Sequence, residues 1–328
     1  DTGRPGPTLA LRFDIDCIPV TESTDDKHVP THCGFASKNP GFMHACGHDA
    51  HMSMGLAVCH WLMDNKDKLS GKVKILFQPA EEGVRGAAGM AASGILDDCD
   101  YFLSSHVAML AKSGELATNL YGFLCTTKYD VTFNGRASHA GVSPQEGRNA
   151  LAAAANATVQ MLGISRHGGG MTRINIGQLV AGEGRNVIPS KAVMKLEVRG
   201  ETMEINNYMS EQVTNIVEGI AKGFSVTYDM RKMGEAVDLT ADQELIDILN
   251  ESGREVGLKV LDKPLNFGGS EDATILARRV QAHGGKAAFF VWGSDRPSGH
   301  HSALFDIQEK DMAPAFDLWT HVLPKILK

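Results

Sequence analysis

The sequence predicts an α/β fold: a discontinuous domain with a mostly parallel central sheet, interrupted by a ferredoxin-like β-α-β-β-α-β module. Three observations carry this. Short apolar strands alternate with helical segments from Pro7 to Val107, the order changes after about residue 119, and the alternation resumes after about residue 234. At 328 residues the chain also exceeds the size at which one hydrophobic core usually stops growing. The boundaries read from the pattern are 1–118 and 234–328 for the two parts of the discontinuous domain, with 119–233 between them as the inserted module.

In chain order, "TLALRFDI" reads as a strand, a helix runs from about Asp49 to Asp64, "KVKILFQ" is a strand, "RGAAGMAASGI" a helix and "YFLSSHV" a strand. Strand-helix-strand repeats of this kind argue for parallel pairing with helices on the sheet faces. In the insert, "KYDVTFNG" alternates as a strand and "GRNALAAAANATVQML" is helical. "TRINIGQLVAG" and "KAVMKLEVRG" are two strands, "EINNYMSEQVTNIVEGIAKG" is a helix and "FSVTYDMR" a strand. After it come a helix through "DQELIDILNESGREVG", the Gly-rich turn "FGGSED", the helix "DATILARRVQAH", the strand "AAFFVWG" and a closing helix from Glu309.

Apolar residues at 43% and charged residues at 22% describe an ordinary globular protein. A net charge of −7 with no Lys/Arg cluster argues against a nucleic-acid surface. Apolar runs such as "AAFFVWG" are too short to span a bilayer, and "DTGRPGP" lacks the charged start and apolar middle of a signal peptide, so no membrane partner and a cytoplasmic location are expected. Six cysteines, at 17, 33, 46, 59, 99 and 125, are sparse and irregular and read as reduced thiols. The absent initiator Met and the abrupt strand-like opening create the expectation that an N-terminal piece precedes the chain.

The stretch "MHACGHDAHMS" crowds His44, Cys46, His48, Asp49 and His51 at the mouth of a helix. In open parallel sheets, ligands collect outside the carboxyl ends of the strands. Asp14 and Asp16 end the first strand, Glu81 and Glu82 follow the second, His106 closes the third, and His301 in "GHHSALFD" follows the last. Taken singly these residues have bland readings: Cys46 as a small core residue, Glu81-Glu82 as a solvated pair, the aspartates as turn caps, and His51 as packing. Together they gather thiolate, imidazole and carboxylate on one rim, which are metal ligands. Adjacent glutamates point in different directions, so one can hold an ion while the other takes a proton from water.

The motifs "MHACGHDAH", "FQPAEEG", "SHAG" with "EGRNALAAAA", "GRNVIPSKAVMKLEVRG", "GGSEDAT" and "GHHSALFDI" resemble the M20 metallopeptidase family over essentially the whole chain, in its amidohydrolase branch with hippurate and auxin-conjugate hydrolases. The resemblance implies two divalent metal ions per subunit, zinc or manganese, held by Cys46, His48, Glu82, His106 and His301, with Glu81 as general base. His301 is preferred because it lies five residues before the Asp of "FD", and His300 stays a candidate. Asp14 and Asp16 are then supporting residues, in a motif where other branches carry a His ligand, and Asp49 is expected to orient an imidazole. The thiolate of Cys46 is expected to be favoured by the helix N-terminus and neighbouring cations, with Gly47 allowing the turn that brings His48 alongside.

The same resemblance implies a homodimer through the inserted domain, His139 as a donor to the substrate oxygen of the partner subunit's site, and Asn186 and Arg199 as binders of a substrate carboxylate. It also implies a helical segment ahead of "DTGRP". The implied reaction is hydrolysis of the amide of an N-acyl or N-aroyl amino acid, p-aminobenzoyl-glutamate foremost, with a general hippurate-type hydrolase as the alternative. A non-catalytic binding protein on the same fold is the reading from another class, and the intact set of ligands plus Glu81 argues against it.

Overall fold

The computed structural model describes residues 1–328, which divide into two compact units: Asp1–Phe123 with Leu239–Lys328, and Leu124–Asp238. Both divisions fall five residues after those read from the pattern. The first unit opens with β1 (Thr8–Asp14), a single-turn α1 (Val29–His32), α2 (His48–Asn65), β2 (Lys72–Gln78), α3 (Gly86–Ala92), β3 (Tyr101–Val107), β4 (Glu115–Ala117) and β5 (Leu120–Tyr121). The second unit holds β6 (Cys125–Asn134), α4 (Ala150–Leu162), β7 (Thr172–Ala181), β8 (Lys191–Gly200), α5 (Met203–Gly223) and β9 (Thr227–Ala236). The chain then returns with α6 (Gln243–Glu255), β10 (Lys259–Val260), β11 (Leu265–Asn266), α7 (Ala273–Ala282), β12 (Lys286–Trp292) and α8 (Met312–Ile326).

The first unit's sheet runs β10-β4-β12-β3-β1-β2 and is parallel except where β12 meets β4. Every residue of β1 is buried, because the strand is central and covered on both faces. Leu9, Leu11 and Phe13 face the core shared with α2, α6 and α8, while Ala10 faces the core under α3 and α7. Helix α2 lies close against the sheet through Gly55, where a Cβ would come within 2.7 Å of Phe77 and 2.8 Å of Phe13. The short strands β4, β5, β10 and β11 are not in the sequence reading; two or three residues are too few to carry a period.

The second unit is a four-stranded antiparallel sheet in the order β7-β8-β6-β9, with α4 and α5 on one face, where Met209 and Val213 of α5 share a core with Val131, Phe133, Met194 and Val198 of the sheet. Its β-α-β-β-α-β order is the ferredoxin-like arrangement expected from the sequence. Asn149 and Thr202 cap α4 and α5, accepting from the Ala152 and Ile205 backbone N–H groups. No helix is long and apolar enough to cross a membrane.

Candidate metal centre

The carboxyl ends of β1, β2, β3 and β12 bring the rim residues together. A bridge between Ile18 and Met43 pins the Cys46 loop to the segment after β1. Gly47 then turns the chain into α2 at φ 86°, and a Cβ there would stand 2.5 Å from a Val107 methyl, so only glycine fits between Cys46 and His48.

His48 Nδ1–H donates to the Asp16 carbonyl (2.9 Å), which leaves Nε2 as the lone-pair nitrogen. That Nε2 is buried with no hydrogen-bond partner, as is Glu82 Oε1, and ligand atoms of Cys46, His48 and Glu82 lie within 4.8 Å of one another. A second triad uses the same thiol: Cys46, His106 and His300 also lie within 4.8 Å, with Cys46 Sγ 3.5 Å from His106 Nε2. His106 Nδ1 is engaged by the Val107 carbonyl at 2.9 Å.

Two further clusters are ruled out by their bonding. His51 stands near His48 and His106, but its Nδ1 meets the Asp14 carboxylate and its Nε2 accepts the Val107 N–H at 2.9 Å. Glu81, Glu271 and Asp272 are also close, yet the Asp272 oxygens are taken by Arg12, Gln78 and the Ala87 N–H. The donors that remain are thiol, imidazole and carboxylate, some buried with unmatched lone pairs, and this set fits divalent transition metal ions.

The turn bearing Glu81 and Glu82 is locked by Asp16, whose two carboxylate oxygens accept the N–H groups of Glu81 (3.0 Å) and Glu82 (3.1 Å). Left-handed residues flank it, Ala80 at φ 60° and the β-branched, buried Val84 at φ 50°. Such conformations cost energy in a non-glycine residue and hold the two carboxylates in a fixed divergence. The supporting part expected of Asp16 is thus a backbone clamp. Asp14 supports differently: it is fully buried, pairs with Arg12 (2.7 Å) and His51, and lies 3.7 Å from His48 Nε2.

Two expectations need correction. Asp49 touches no imidazole; one residue after His48 it lies about 100° around the helix, exposed, and accepts the Ala50 N–H. The protein's own groups do not favour the Cys46 thiolate, because burial and then the Glu82 and Glu81 carboxylates push its pKa up. A bound dication is the charge that would reverse this. Burial alone would lower His48, but Asp14 and Asp16 outweigh it and raise its pKa to about 9, so without an ion the ring carries a second proton at Nε2, which a metal must displace to reach the lone pair.

His300 and His301 approach from opposite directions. His300 is half-buried, packs its ring against Phe305 at a tilt with centroids 4.8 Å apart, and has an unpartnered buried Nε2. His301 is in the left-handed region at φ 65°, donates its N–H to the Ala45 carbonyl (2.7 Å), and sets Nε2 3.1 Å from Glu82 Oε2 with the side chain largely exposed.

The model of peptidase family M20/M25/M40 matches residues 10–325. The chain belongs to this family. The M20 chain is 55% identical, over its whole length and 78% of the relative's, to a homolog of a p-aminobenzoyl-glutamate hydrolase subunit from Haemophilus influenzae. It is 44% identical to the "indole-3-acetyl-aspartic acid hydrolase" of Enterobacter agglomerans over 97% of this chain and 73% of that one. Among solved structures, the aminobenzoyl-glutamate utilization protein of Klebsiella pneumoniae superposes with a TM-score of 0.80 at 37% identity, covering 99% of this chain and 72% of that one. This M20 protein is accordingly a hydrolase of amide bonds that uses divalent metal.

In the second unit of the M20 chain, His139 and Asn186 are neighbours: His139 bridges Val187, and the Ala140 N–H donates to the Asn186 carbonyl (3.0 Å). His139 Nδ1 accepts the N–H groups of Gly141 and Val142 (3.1 Å each), which puts the ring proton on Nε2, an exposed donor. Arg199 lies elsewhere. It pairs with Thr126 at one end of the β6–β8 ladder, eight residues or about 26 Å from Lys191, and bonds Glu197 at 2.9 Å. One copy of the chain does not bring Asn186 and Arg199 to the same carboxylate.

Sequence reasoning missed Arg12, Gln78, Glu271 and Asp272, which form a buried network behind Glu81. The signals available were a charged Arg inside the otherwise apolar "TLALRF" and the motifs "FQPAEEG" and "GGSEDAT", which contain Gln78, Glu271 and Asp272.

Proposed function

We propose that this protein is a cytoplasmic dinuclear amidohydrolase that cleaves the amide of an N-acyl or N-aroyl amino acid, p-aminobenzoyl-glutamate foremost. The observation that carries the reading is the pair of donor triads sharing Cys46, with unmatched buried lone pairs on His48 and Glu82 and a second carboxylate, Glu81, beside them. The names of the relatives support the substrate class. The sparse and irregularly spaced cysteines suit a reducing compartment. A second reading, a broader N-acyl-amino-acid hydrolase, is favoured by the likeness to an enzyme named for an aspartate conjugate. Comparing kcat/KM on p-aminobenzoyl-glutamate, indole-3-acetyl-aspartate and hippurate decides between them; no turnover of any of the three by metal-loaded enzyme would sink both.

Cys46, His48, Glu82, His106 and His301 would hold two ions, zinc or manganese, with His300 in competition with His301. Ions bound there would polarise the amide carbonyl and lower the pKa of a water. Glu81 takes the proton of the attacking water and delivers it to the leaving amine. Asp16 keeps Glu81 and Glu82 diverging, and Asp14 with His51 steadies the rings of α2.

Cys46→Ser should lose most of its metal, because an alcohol does not supply an anionic sulfur and the thiol belongs to both triads. His301→Ala should lose one ion while His300→Ala keeps two; the opposite result by plasma emission analysis transfers the ligand role to His300. Cys46 and His48 both hold protons without an ion, so metal binding releases protons and its affinity falls as pH falls.

The inserted unit is proposed to dimerise with a second copy. Its support is the free edge of β7 and exposed apolar residues Val142, Val159, Leu162 and Val180 on the same unit. Two relatives are named for one component of a multi-component hydrolase, so association with a different chain is the other outcome when the mass of the purified protein is measured by light scattering. His139 is proposed to donate Nε2–H to the substrate oxygen of the partner's site, with Asn186 beside it. Mixing His139→Ala with Glu81→Gln should then restore activity after subunit exchange, since one site per heterodimer has both groups. Verified exchange without activity would place His139 in its own subunit's site or outside catalysis.

Arg199 is proposed to bind a substrate carboxylate in a site other than the one Asn186 serves. Arg199→Lys should lower the preference for free acid over methyl ester, because a Lys cannot match the bidentate fork. An unchanged ratio leaves Arg199 as the ladder partner of Glu197.

A further inference from the structure

The loops that leave β3 and β12 enclose a cavity to which the reading above gives no task. It measures about 400 Å³, in the range of small-molecule sites, and every residue lining it belongs to the first unit. Ala108 turns the chain out of β3 in the left-handed region at φ 58°, and its N–H donates to the Trp292 carbonyl (2.9 Å). The two loops are fastened to each other. The Gly293 N–H donates to the Glu115 carbonyl (2.8 Å), the Asp295 N–H donates to Ser113 Oγ (3.0 Å), and a Cβ on Gly293 would stand 1.7 Å from the Lys112 carbonyl oxygen. Met109 and Leu110 give the cavity an apolar wall, and Arg296 and Ser298 give it polar groups. The exposed Arg296 guanidinium donates to His300 Nδ1 (3.1 Å), reaches the Ser298 carbonyl (3.5 Å) and pairs with no carboxylate. Lys112 also lacks a carboxylate partner, so two cations of the lining stand against the single acid Asp295, in a chain of net charge −7. Ser298 Oγ is buried with no hydrogen-bond partner.

We propose that this cavity is the subsite for the side-chain carboxylate of a dicarboxylic amino-acid conjugate, with Arg296 as its ion-pair partner and the Ser298 hydroxyl as a hydrogen-bond donor. The inference rests on the substrate class proposed above. Its first ground is position. A nitrogen of the His300 ring lies within 4.8 Å of the Cys46 and His106 donors, and Arg296 touches the same ring, so the guanidinium stands one imidazole away from those donors. An α-carboxylate shares its carbon with the scissile amide nitrogen and stays beside the ions. The side-chain carboxylate of aspartate or glutamate is set off by methylenes, which carry it past the His300 ring and can lie against Met109 and Leu110. The second ground is unspent bonding capacity. The open edge of a planar guanidinium matches the two oxygens of a carboxylate, and a buried hydroxyl without a partner gains one when that carboxylate arrives. Because both loops are fixed to the sheet ends and to each other, these groups are held in place before the ligand binds.

The rival role for Arg296 is a prop for the His300 ring, and a pair of substrates that differ only in the side-chain carboxylate separates the two. Metal-loaded enzyme is assayed on p-aminobenzoyl-glutamate and on its γ-carboxamide, p-aminobenzoyl-glutamine, and the ratio of the two kcat/KM values is taken from one preparation, so that any loss of metal or of folded protein cancels. The parent should prefer the carboxylate by about tenfold or more. Arg296→Gln should lower the ratio about tenfold, and Ser298→Ala, which deletes one hydroxyl, about threefold. A prop for His300 would instead lower both substrates in equal proportion. A parent without the preference, or an Arg296→Gln enzyme with the parental ratio, overturns the proposal. Should Arg296→Gln not fold, Ser298→Ala decides on the same ratio. If the parent turns over neither substrate, it is the substrate reading that falls. Calorimetric binding of N-acetyl-glutamate against N-acetyl-glutamine by the parent and the variants then tests the subsite, which is overturned if the parent binds the two alike.

Discussion

Glu81→Gln is expected to lower kcat by about 10²–10⁴-fold while the protein keeps its fold and its metal. The amide has the shape of the carboxylate and can sit in the same turn, whose backbone N–H groups are held by Asp16 whatever the side chain is. What it lacks is the ability to accept a proton. The loss should therefore fall on kcat, with KM and metal content near those of the parent. Ordinary turnover by the variant would remove Glu81 from the reaction, and loss of both ions would mean that Glu81 is a ligand instead.

Arg12→Met should destabilise the first unit by about 3–5 kcal/mol, because it leaves Asp14 and Asp272 buried without their counter-charge. For a unit of this size that is on the order of 10 °C in Tm. The pH dependence has a definite sign. Burial works to raise Asp14, but Arg12, then His51 and His48, hold its carboxyl well below the usual range. A depressed folded pKa adds stability that is complete above the unfolded value near ~3.9 and is lost as pH falls through the folded pKa. Without Arg12 the carboxyl rises, so acid unfolding should begin at a higher pH in Arg12→Met. A variant with parental Tm and parental acid midpoint would show that the guanidinium is not what balances these carboxylates. The double variant Arg12→Met with Asp14→Asn should recover part of the loss, since it removes a charge that was left unpaired.

By itself the sequence determined the order of the longer strands and helices of both units, though not α1, β4, β5, β10 or β11, and the residues gathered on one rim. These features are local: apolar periods, a glycine between Cys46 and His48, and paired glutamates following a strand. Tertiary structure decided what depends on groups far apart in the chain. Arg12 meets Glu271 and Asp272 across about 260 positions, and no spacing rule connects a charge inside a strand with two carboxylates before a helix. His51, which read as packing, is a buried link between Asp14 and the Val107 N–H because α2 stands its first turn over the ends of β1 and β3. Asn186 and Arg199 are thirteen residues apart in sequence, yet β8 is extended and carries them to different ends of its sheet. His300 and His301 are adjacent, yet the left-handed backbone at His301 sends one ring toward Cys46 and the other toward Glu82. Local pattern specifies elements because it reflects which face of each one is apolar; buried charge and ligand geometry depend on which elements meet, and only packing sets that.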